Sequence, residues 1–487
     1  MLIWVQLARL RRVIMMSNQL KLALVITKRE VRDQFRDWRI IFPILGLTIF
    51  FPFLMNFTTA QVLQFVNRYG ATIVGERLVP FSMMIVGFFP ISVSLVIALE
   101  SFVGEKERGS IEPLFNTPLL DWQIYIGKLI SSIVPPLFAS FVGMLVYSVG
   151  LIINDVPLPD LHLIIQIIAI TIIQAVVMVA GAVVVSTQAT SVRAANLLAS
   201  FIIIPMALLI QGESIVMFWG NYATLWWVVF GLSILAILLL RIGLAHFSRE
   251  ELLGRDIDVL NFRWGWKVFR LNFFGNASSL KNWYKFEVFP YIKEIRYSIL
   301  IISLFILAGF FVGKSQITRF EFPVEQLGVE NMQAQLTQLS RNWSFGNFSP
   351  VIMIFWQNIR VLLLAFILGV ITLGIFGVLP LFASIAIVGY IMGILGSANL
   401  SLSTYFIGFI LPHGIFEIPA AVIATAAIFQ IGVILATPDN QQTIGEVWLK
   451  SIANWAKLMI GLVIPMIIIA AMIEVWVTPE LALWLIP

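Results

Sequence analysis

Apolar runs of about 20 residues recur along the whole chain, and no other feature constrains its fold as strongly. A helix of roughly 20 apolar residues is long enough to cross the hydrocarbon core of a bilayer. Of the 487 residues, 60% are hydrophobic and only 12% are charged, which leaves too little polar surface for a soluble globular protein. The bilayer is therefore the main solvent of the chain, and the sequence predicts an all-α polytopic membrane protein.

The apolar runs predict six spans in the first half and about five in the second, each bounded by polar residues, proline or glycine. They lie near residues 40–57, 81–103, 129–152, 161–185, 195–210 and 225–242, and then near 297–313, 358–377, 380–396, 405–436 and 457–475. The run 405–436 is too long for one untilted span, and Pro412-His413-Gly414 interrupts it. It is predicted to be either a re-entrant half-helix followed by a full helix or one kinked helix.

The distribution of basic residues predicts the orientation of the first half. The segments predicted to be cytoplasmic are 1–39, 104–128, 186–194 and 241–296. They hold 23 lysines and arginines, whereas the intervening segments hold two, Arg68 and Arg77. Because positive charge stays on the cytoplasmic side, we predict a multi-pass protein of a bacterial-type inner membrane with a cytoplasmic N-terminus.

Residues 1–39 are predicted to form an amphipathic interfacial helix rather than a cleavable signal peptide. Leu22, Val25 and Ile26 recur at helical spacing, opposite basic side chains. Lysines and arginines on such a helix meet anionic headgroups, so membrane lipids are predicted partners. The alternative is a solvated basic arm.

Several kinds of chemistry are excluded by the residues that the sequence lacks. Cysteine is absent, which excludes disulfides, thiolate zinc sites and cysteine nucleophiles. The nucleotide-binding pattern G-x-x-x-x-G-K-[ST] does not occur, since Ala308 stands where the first glycine would precede Gly313-Lys314-Ser315. The predicted spans also lack paired carboxylates and serine-based dyads. We therefore predict that this chain is not an enzyme and holds neither a cofactor nor a metal.

The loop after the second predicted span is short and dense in charge. It runs from Gly104 to Leu119 and contains the string Glu-Lys-Glu-Arg-Gly-Ser-Ile-Glu. Ser110 is a candidate N-cap for a short helix, which Pro118 would end. The apolar residues of that helix, on one side, would suit docking in the groove of a partner protein. An ordinary solvated loop is the alternative.

With this loop, residues 20–245 resemble the permease subunits of type-2 ATP-binding-cassette exporters. The resemblance rests on a basic amphipathic helix, two spans, the charged loop with its Thr-Pro-Leu and Gly-Lys continuation, and four further spans. In that family the loop forms a coupling helix that contacts the nucleotide-binding subunit. The residues that the resemblance assigns to this ATPase-coupling loop are Glu105, Lys106, Glu107, Arg108, Gly109, Ser110, Ile111, Glu112, Leu114, Thr117 and Pro118. Pro113 departs from the family pattern and would shorten the coupling helix.

The resemblance also implies how such a permease is assembled. Residues 40–245 would be a six-span permease domain, and two copies would form a homodimer. A separate ATP-binding subunit, in two copies, would hold ATP and Mg. Nucleic acid is not a predicted partner.

Residues 290–475 resemble the stage II sporulation protein M family. The resemblance rests on a span start that bears Asn358 and on the string Pro-His-Gly-Ile-Phe-Glu at residues 412–417. It implies a membrane domain at 291–487, a roughly five-span helical module, and a link to cell-envelope remodelling. Between the two modules, residues 246–290 are basic and rich in tryptophan, which predicts a cytoplasmic linker anchored at the membrane interface.

The string at 412–417 contains the second candidate functional element, Pro412, His413, Gly414 and Glu417. His413 and Glu417 are four residues apart, so they share one face of a helix. An ionisable pair at membrane depth is costly and faces a protein interior or a wet cavity. It is either a functional switch or contact, or a structural clasp for backbone groups freed by Pro412. A metal site is not predicted, because the sequence nearby offers one histidine and one carboxylate.

The sequence therefore predicts the transmembrane permease subunit of an ATP-driven exporter. The alternative is a transmitter that carries ATPase-driven conformational signals for cell-envelope remodelling and transports nothing. A continuous polar cleft would favour transport, whereas a sealed apolar dimer would favour signalling.

Overall fold

The computed structural model describes residues 21–69, 72–189, 191–192, 195–196, 200–220, 222–245, 247, 262–318, 332–343, 345–398, 400–437 and 444–485. Every regular element in these ranges is a helix, which confirms the all-α polytopic membrane fold. The first 20 residues of the predicted interfacial helix lie outside the described residues. So do residue 246 and residues 248–261 of the predicted linker.

The chain divides into two compact units, Met1–Leu260 and Asn261–Pro487. The helices of the first unit are α1 (21–34), α2 (Trp38–Leu45), α3 (Phe51–Tyr69), α4 (Thr72–Glu107), α5 (Ile111–Phe115), α6 (Asp121–Ile153), α7 (Leu161–Gln188), α8 (Ser200–Phe218) and α9 (Leu225–Ala245). Those of the second unit are α10 (Phe262–Phe274), α11 (Leu280–Trp283), α12 (Phe289–Glu294), α13 (Arg296–Ser315), α14 (Met332–Asn342), α15 (Phe348–Ile371), α16 (Leu379–Ser397), α17 (Leu402–Tyr405), α18 (Leu411–Ala436), α19 (Ile444–Leu458), α20 (Ile464–Trp476) and α21 (Thr478–Leu485).

Ten helical segments of the described chain are long and apolar enough to cross a membrane. Five belong to each unit, and an eleventh apolar helix, Ile202–Phe218, is shorter. This shorter helix takes the place of the fifth predicted span, 195–210, but lies several residues later in the chain. The predicted spans are thus present, although their bounds differ.

Close packing of the membrane helices depends on small residues in both units. A side chain added at Gly87 of α4 would stand 3.0 Å from the hydroxyl oxygen of Thr171 on α7. In the second unit, Gly313 of α13 faces the backbone of Ala386 on α16, and Gly389 faces the backbone of Phe310. Neither position has room for a Cβ atom, so glycine permits these helices to approach.

Four π-helical turns interrupt the described helices, and each one precedes a proline. They are Gly46–Phe50, Tyr284–Val288, Phe406–Ile410 and Met459–Val463. In each case proline is the second residue of the helix that follows: Pro52, Pro290, Pro412 and Pro465. Proline has no N–H to donate and its ring crowds the carbonyl four residues earlier. A widened turn removes that crowding while the chain stays helical.

One of these turns decides between the two alternatives for 405–436. The chain is helical from Leu402 through the turn at Phe406–Ile410 and on to Ala436. The helix is continuous over this range, which favours the one-helix alternative over two separate helices. Pro412 lies in the first turn of α18, where a missing N–H is tolerated.

Two helices extend beyond the apolar runs that predicted them. α4 continues to Glu107, so Glu105 and its neighbours belong to the end of a long helix and not to a loop. α15 begins at Phe348 and therefore contains Asn358, which was predicted to stand at the start of a span. Helices continue into polar residues because backbone hydrogen bonds do not depend on side-chain apolarity.

Residues 262–290, predicted as part of the linker, pack within the second unit. The indole N–H of Trp283 donates to the carbonyl of Phe273 at 2.7 Å, and the hydroxyl of Tyr284 donates to the carbonyl of Gly461 at 2.6 Å. The side chains of Phe262 and Trp266 are exposed. Membrane-interface anchoring by these aromatic residues stays a prediction.

Candidate functional site

The predicted coupling residues follow the end of α4 and the short helix α5. Glu105, Lys106 and Glu107 form the last turn of α4, and the chain then reverses at Gly109, whose φ of +68° suits glycine. Ser110 stands at the N-cap position of α5. Its hydroxyl donates to the carbonyl of Glu105 at 3.3 Å and makes no bond to the helix that it precedes.

The apolar side of α5 is buried within the first unit. Ile111 and Phe115 are 2% and 7% exposed. The ring of Phe115 meets that of Phe247 with centroids 6.5 Å apart, and Phe247 lies 5.2 Å from the ring of Phe102. Ile111 and Phe115 are therefore covered within the first unit, and Phe247 packs against Phe115. Docking of this segment in a partner's groove stays a prediction.

A different surface of this segment is open to a partner. We use the term exposed face for the solvent-accessible residues Arg108, Glu112, Pro113, Asn116 and Pro118. Leu114 and Thr117 are half-buried, and the hydroxyl of Thr117 donates to the carbonyl of Leu114 at 2.6 Å. Polar and charged groups, rather than an apolar stripe, would meet a docking protein here.

A buried ion cluster centred on Lys128 of α6 includes Glu105 in the last turn of α4, three residues before Arg108 of the exposed face. The ammonium of Lys128, whose side chain is 1% exposed, is 2.8 Å from Glu105 of α4 and 3.6 Å from Glu30 of α1. It also donates to the carbonyl of Ser101 at 2.8 Å. Because a buried charge is stable only when it is paired and hydrogen-bonded, Lys128 holds α1, α4 and α6 together at one point.

Two further contacts extend this connection. A carboxylate oxygen of Glu107 accepts the backbone N–H of Val192 at 2.8 Å, which ties the end of α4 to the connection after α7. The hydroxyl of Thr27 on α1 donates to the carbonyl of Gly127 at 3.0 Å. An added Cβ atom at Gly127 would lie 2.9 Å from the carbonyl oxygen of Ala23, so glycine permits α1 to lie on α6.

Sequence reasoning missed Glu30 and Phe247 as parts of this region, and it included Lys128 only in the Gly-Lys continuation of the loop, without an ion-pair role. The sequence contains one sign of them, since Lys128 is a lysine at the start of an apolar span. Such a charge requires a nearby partner. The sequence does not show which residues are the partners, because Glu105 and Glu30 lie 23 and 98 residues before Lys128 in the chain.

The second candidate element lies inside the second unit. His413 and Glu417 share one face of α18 as predicted, and Glu474 of α20 joins them. Ligand atoms of these three half-buried residues all lie within 4.8 Å of one another. The Nδ1 atom of His413 is also 3.4 Å from the hydroxyl oxygen of Thr478. We call His413, Glu417 and Glu474 the acidic–histidine cluster.

The cluster adjoins a cavity of about 300 Å³. His413, Gly414 and Glu417 line it from α18, and Asn358 lines it from α15, beside Glu417. Most of the remaining wall is apolar and comes from α13, α15 and α16. Pro412 begins α18 and orders the helix end without lining the cavity. The sequence prediction of a wet or interior-facing pair is consistent with this arrangement.

The polar residues inside the first unit are arranged differently. The amide of Gln174 on α7 donates to the carboxylate of Glu213 on α8 at 2.7 Å, and both are buried. Gln166 donates to the carbonyl of Tyr222 at 3.0 Å, and in the second unit Gln430 accepts from Ser298 at 2.5 Å. These glutamines therefore make hydrogen bonds between elements, which is the usual role of such residues in membrane helices.

Comparison with known protein families accounts for both units. Residues 24–219 match the model of the ABC-2 family transporter protein, and residues 298–479 match that of Stage II sporulation protein M. Both resemblances inferred from the sequence are thereby confirmed. Among curated proteins and among solved structures, no match to the chain is found. The first matched segment contains Lys128 and the exposed face, and the second contains the acidic–histidine cluster.

Proposed function

From its ABC-2 transporter membrane domain, we infer that the chain is the permease of an ATP-driven exporter with a separate ATP-binding subunit. The family match makes the chain a membrane component of an ABC transporter. Export, the separate ATPase and the site of contact are the proposal. The observation that carries it is the exposed face after α4, the helix whose last turn pairs through Glu105 with the buried Lys128.

The geometry of this region suits the transmission of force. The exposed face lies at the end of α4, so a protein that pushes on it pushes on a membrane helix. Lys128 joins that helix end to α1 and α6 through charged contacts of 2.8 and 3.6 Å. Displacing α4 alone would remove the carboxylate of Glu105 and the carbonyl of Ser101 from the buried ammonium, which is costly. The helices around Lys128 would therefore move together.

The exposed face also defines the chemistry of the partner. Arg108 and Glu112 present opposite charges on one short segment, and the prolines limit its flexibility. A complementary groove with both an acidic and a basic group would fix the docking register more than it would add affinity. ATP and Mg would be bound by that partner, and a two-fold permease dimer would bind two of its copies.

The proposed orientation puts the exposed face and α1 on the cytoplasmic side of a bacterial-type cell membrane. In support, the described part of α1 exposes Leu22, Leu24 and Val25 beside basic side chains. Such a helix is suited to the lipid interface, where apolar residues enter the acyl boundary. The N-terminus would then be cytoplasmic.

Purification of the full chain in mild detergent, followed by mass spectrometry and an ATPase assay, tests this proposal. The test variant reverses both charges of the exposed face, Arg108→Glu with Glu112→Arg. The matched control is Asp160→Arg, an exposed charge at the opposite ends of α6 and α7. We expect an ATPase subunit to co-purify with the wild type and with the control. The amount that co-purifies with the double variant should be at least tenfold lower.

A wild type that purifies with no ATPase, or a double variant that retains it fully, would overturn the proposal. Glu105→Gln separates docking from coupling, because Glu105 is half-buried and pairs with Lys128 instead of belonging to the exposed face. We expect this variant to retain the ATPase subunit and to lose the stimulation of ATP hydrolysis that the permease provides.

One observation favours the transmitter as a second candidate function. Inside the first unit, Gln174 and Glu213 bond to each other across α7 and α8 instead of lining an open path. The chain has no cysteine, so a single cysteine introduced at Ser403 can be labelled with a fluorophore. A transmitter would change the fluorescence of this second-unit label during ATP hydrolysis without any transported substrate. An unchanged signal would contradict this second candidate.

A further inference from the structure

The acidic–histidine cluster combines three potential ligands from two helices. Glu417 and Glu474 bring two carboxylates within 4.8 Å of each other, and His413 adds an imidazole. Two carboxylates at this separation repel each other, and the apolar surroundings give little screening. A cation held between them would remove the repulsion.

The set of ligand atoms is characteristic of one class of cation. Two carboxylates and one imidazole provide oxygen and nitrogen donors, which Zn²⁺ and related divalent transition metals accept. Three protein ligands leave at least one coordination position open, as in metal sites that bind water or substrate. Among the described residues, no other group of this kind is found.

The surroundings of His413 add an orienting contact. Its Nδ1 atom lies 3.4 Å from the hydroxyl of Thr478, which itself donates to the carbonyl of Ile473 at 3.3 Å. A partner on one ring nitrogen fixes the direction of the imidazole and leaves the other nitrogen for a metal. Thr478 is the first residue of α21 and lies two residues after the end of α20, the helix that supplies Glu474. The segment 474–478 thus supplies one ligand and orients another.

An unpartnered hydroxyl lies in the adjoining cavity and gives an independent indication of a polar occupant. Thr425 is 1% exposed and lines the cavity from α18. Its hydroxyl oxygen has no hydrogen-bond partner among the described residues. Buried hydroxyls nearly always have one. A water or a ligand in the cavity would satisfy it, and the volume of about 300 Å³ is sufficient.

We propose that His413, Glu417 and Glu474 bind one divalent transition-metal ion of the Zn²⁺ class, next to the cavity of the second unit. Asn358 and Thr425 line the cavity that His413 and Glu417 also line. This inference concerns the second unit alone and does not depend on the ATPase-coupling proposal.

Metal analysis of the full-length protein tests the site. The chain is purified in detergent with an affinity tag that contains no histidine, stripped with a chelator, reloaded with Zn²⁺ and freed of excess metal. We expect about one tightly bound zinc per chain and a higher melting temperature after reloading. Glu474→Gln and His413→Gln should each reduce bound zinc at least tenfold. Glu213→Gln, which alters a buried carboxylate of the first unit, is the matched control and should retain it.

Loading with Co²⁺ provides a readout that does not depend on variant folding. Cobalt bound by a histidine and two carboxylates should produce a visible absorption band in the wild type, which added Zn²⁺ abolishes. The proposal is overturned if the wild type takes up no metal, or if Glu474→Gln and His413→Gln bind as much as the wild type. In that case a shared proton, rather than a metal, balances the two carboxylates.

Discussion

Each unit buries one lysine on a membrane helix, and the two lysines differ in how many partners they hold. Lys128 of the first unit contacts two carboxylates from two other helices, at 2.8 and 3.6 Å. Lys457 of the second unit contacts one, Glu287, at 3.1 Å. Both side chains are less than 5% exposed, so the difference lies in connectivity and not in burial.

Lys457 has its neighbours in one short segment of the second unit, which contains Glu287 and Tyr291. Its ammonium lies 6.0 Å from the centre of the Tyr291 ring, and Glu287 belongs to the π-helical turn before α12. Burial raises the pKa of the Tyr291 hydroxyl above its usual range, so this ring stays neutral beside the lysine. Lys457 thus contacts one aromatic segment, whereas Lys128 on α6 contacts α1 and the end of α4.

The first prediction, with the largest effect, concerns Lys128→Met. Removing the ammonium leaves Glu105 and Glu30 as uncompensated, largely buried charges. We expect the free energy of unfolding to fall by roughly 3–5 kcal/mol, measured by denaturant titration in detergent. Lys285→Met, at an exposed lysine of the second unit, is the control and should change stability by less than about 0.5 kcal/mol. A loss below 1 kcal/mol at Lys128 would contradict the central role of this lysine.

Lys457→Met should have a smaller effect and gives the direct comparison. A single carboxylate, that of Glu287, loses its partner, and its side chain is 24% exposed and can recruit water. We expect a loss of about 1–3 kcal/mol in the same titration. If Lys457→Met destabilises the protein as much as Lys128→Met does, the number of partners does not explain the difference between the units.

Gly127→Ala sharpens the comparison, because it disturbs the packing of α1 against α6 without removing a charge. The new methyl group would lie 2.9 Å from both the carbonyl oxygen of Ala23 and the Cβ atom of Ile26. We expect a loss of about 1–2 kcal/mol from overpacking. Gly212→Ala on α8 is the matched control, since no atom lies within 4 Å of its added Cβ. Equal stability changes in the two variants would show that α1 does not rest on α6.

The fold was largely predictable because each membrane helix is determined mainly by its own run of apolar residues. An apolar run reveals a membrane helix without reference to any other helix, and ten such helices are found. Their ends were less predictable. α4 continues to Glu107 because a helix can carry charged side chains into water beyond the bilayer, which an apolarity pattern does not detect.

The candidate sites depended on contacts that no local pattern contains. His413 and Glu417 could be paired from their spacing of four residues, whereas Glu474 comes from a different helix. The apolar residues Ile111 and Phe115 had the composition of a docking surface. They are buried because Phe247, more than 130 residues later in the chain, packs against Phe115. Which apolar surface stays exposed is a property of the tertiary fold.

The π-helical turns before proline have a further consequence for the acidic–histidine cluster. A widened turn contains one residue more than an ordinary α-helical turn, and each residue of an α-helix rotates the chain by about 100°. Both helices that supply the cluster follow such a turn, at Phe406–Ile410 and at Met459–Val463. Moving the extra residue along either helix would rotate its carboxylate away from the other, with no change in helix length. The three side chains thus come together because of how each helix is rotated about its own axis. Rotating one helix would separate its carboxylate from the other ligands or bring them together again.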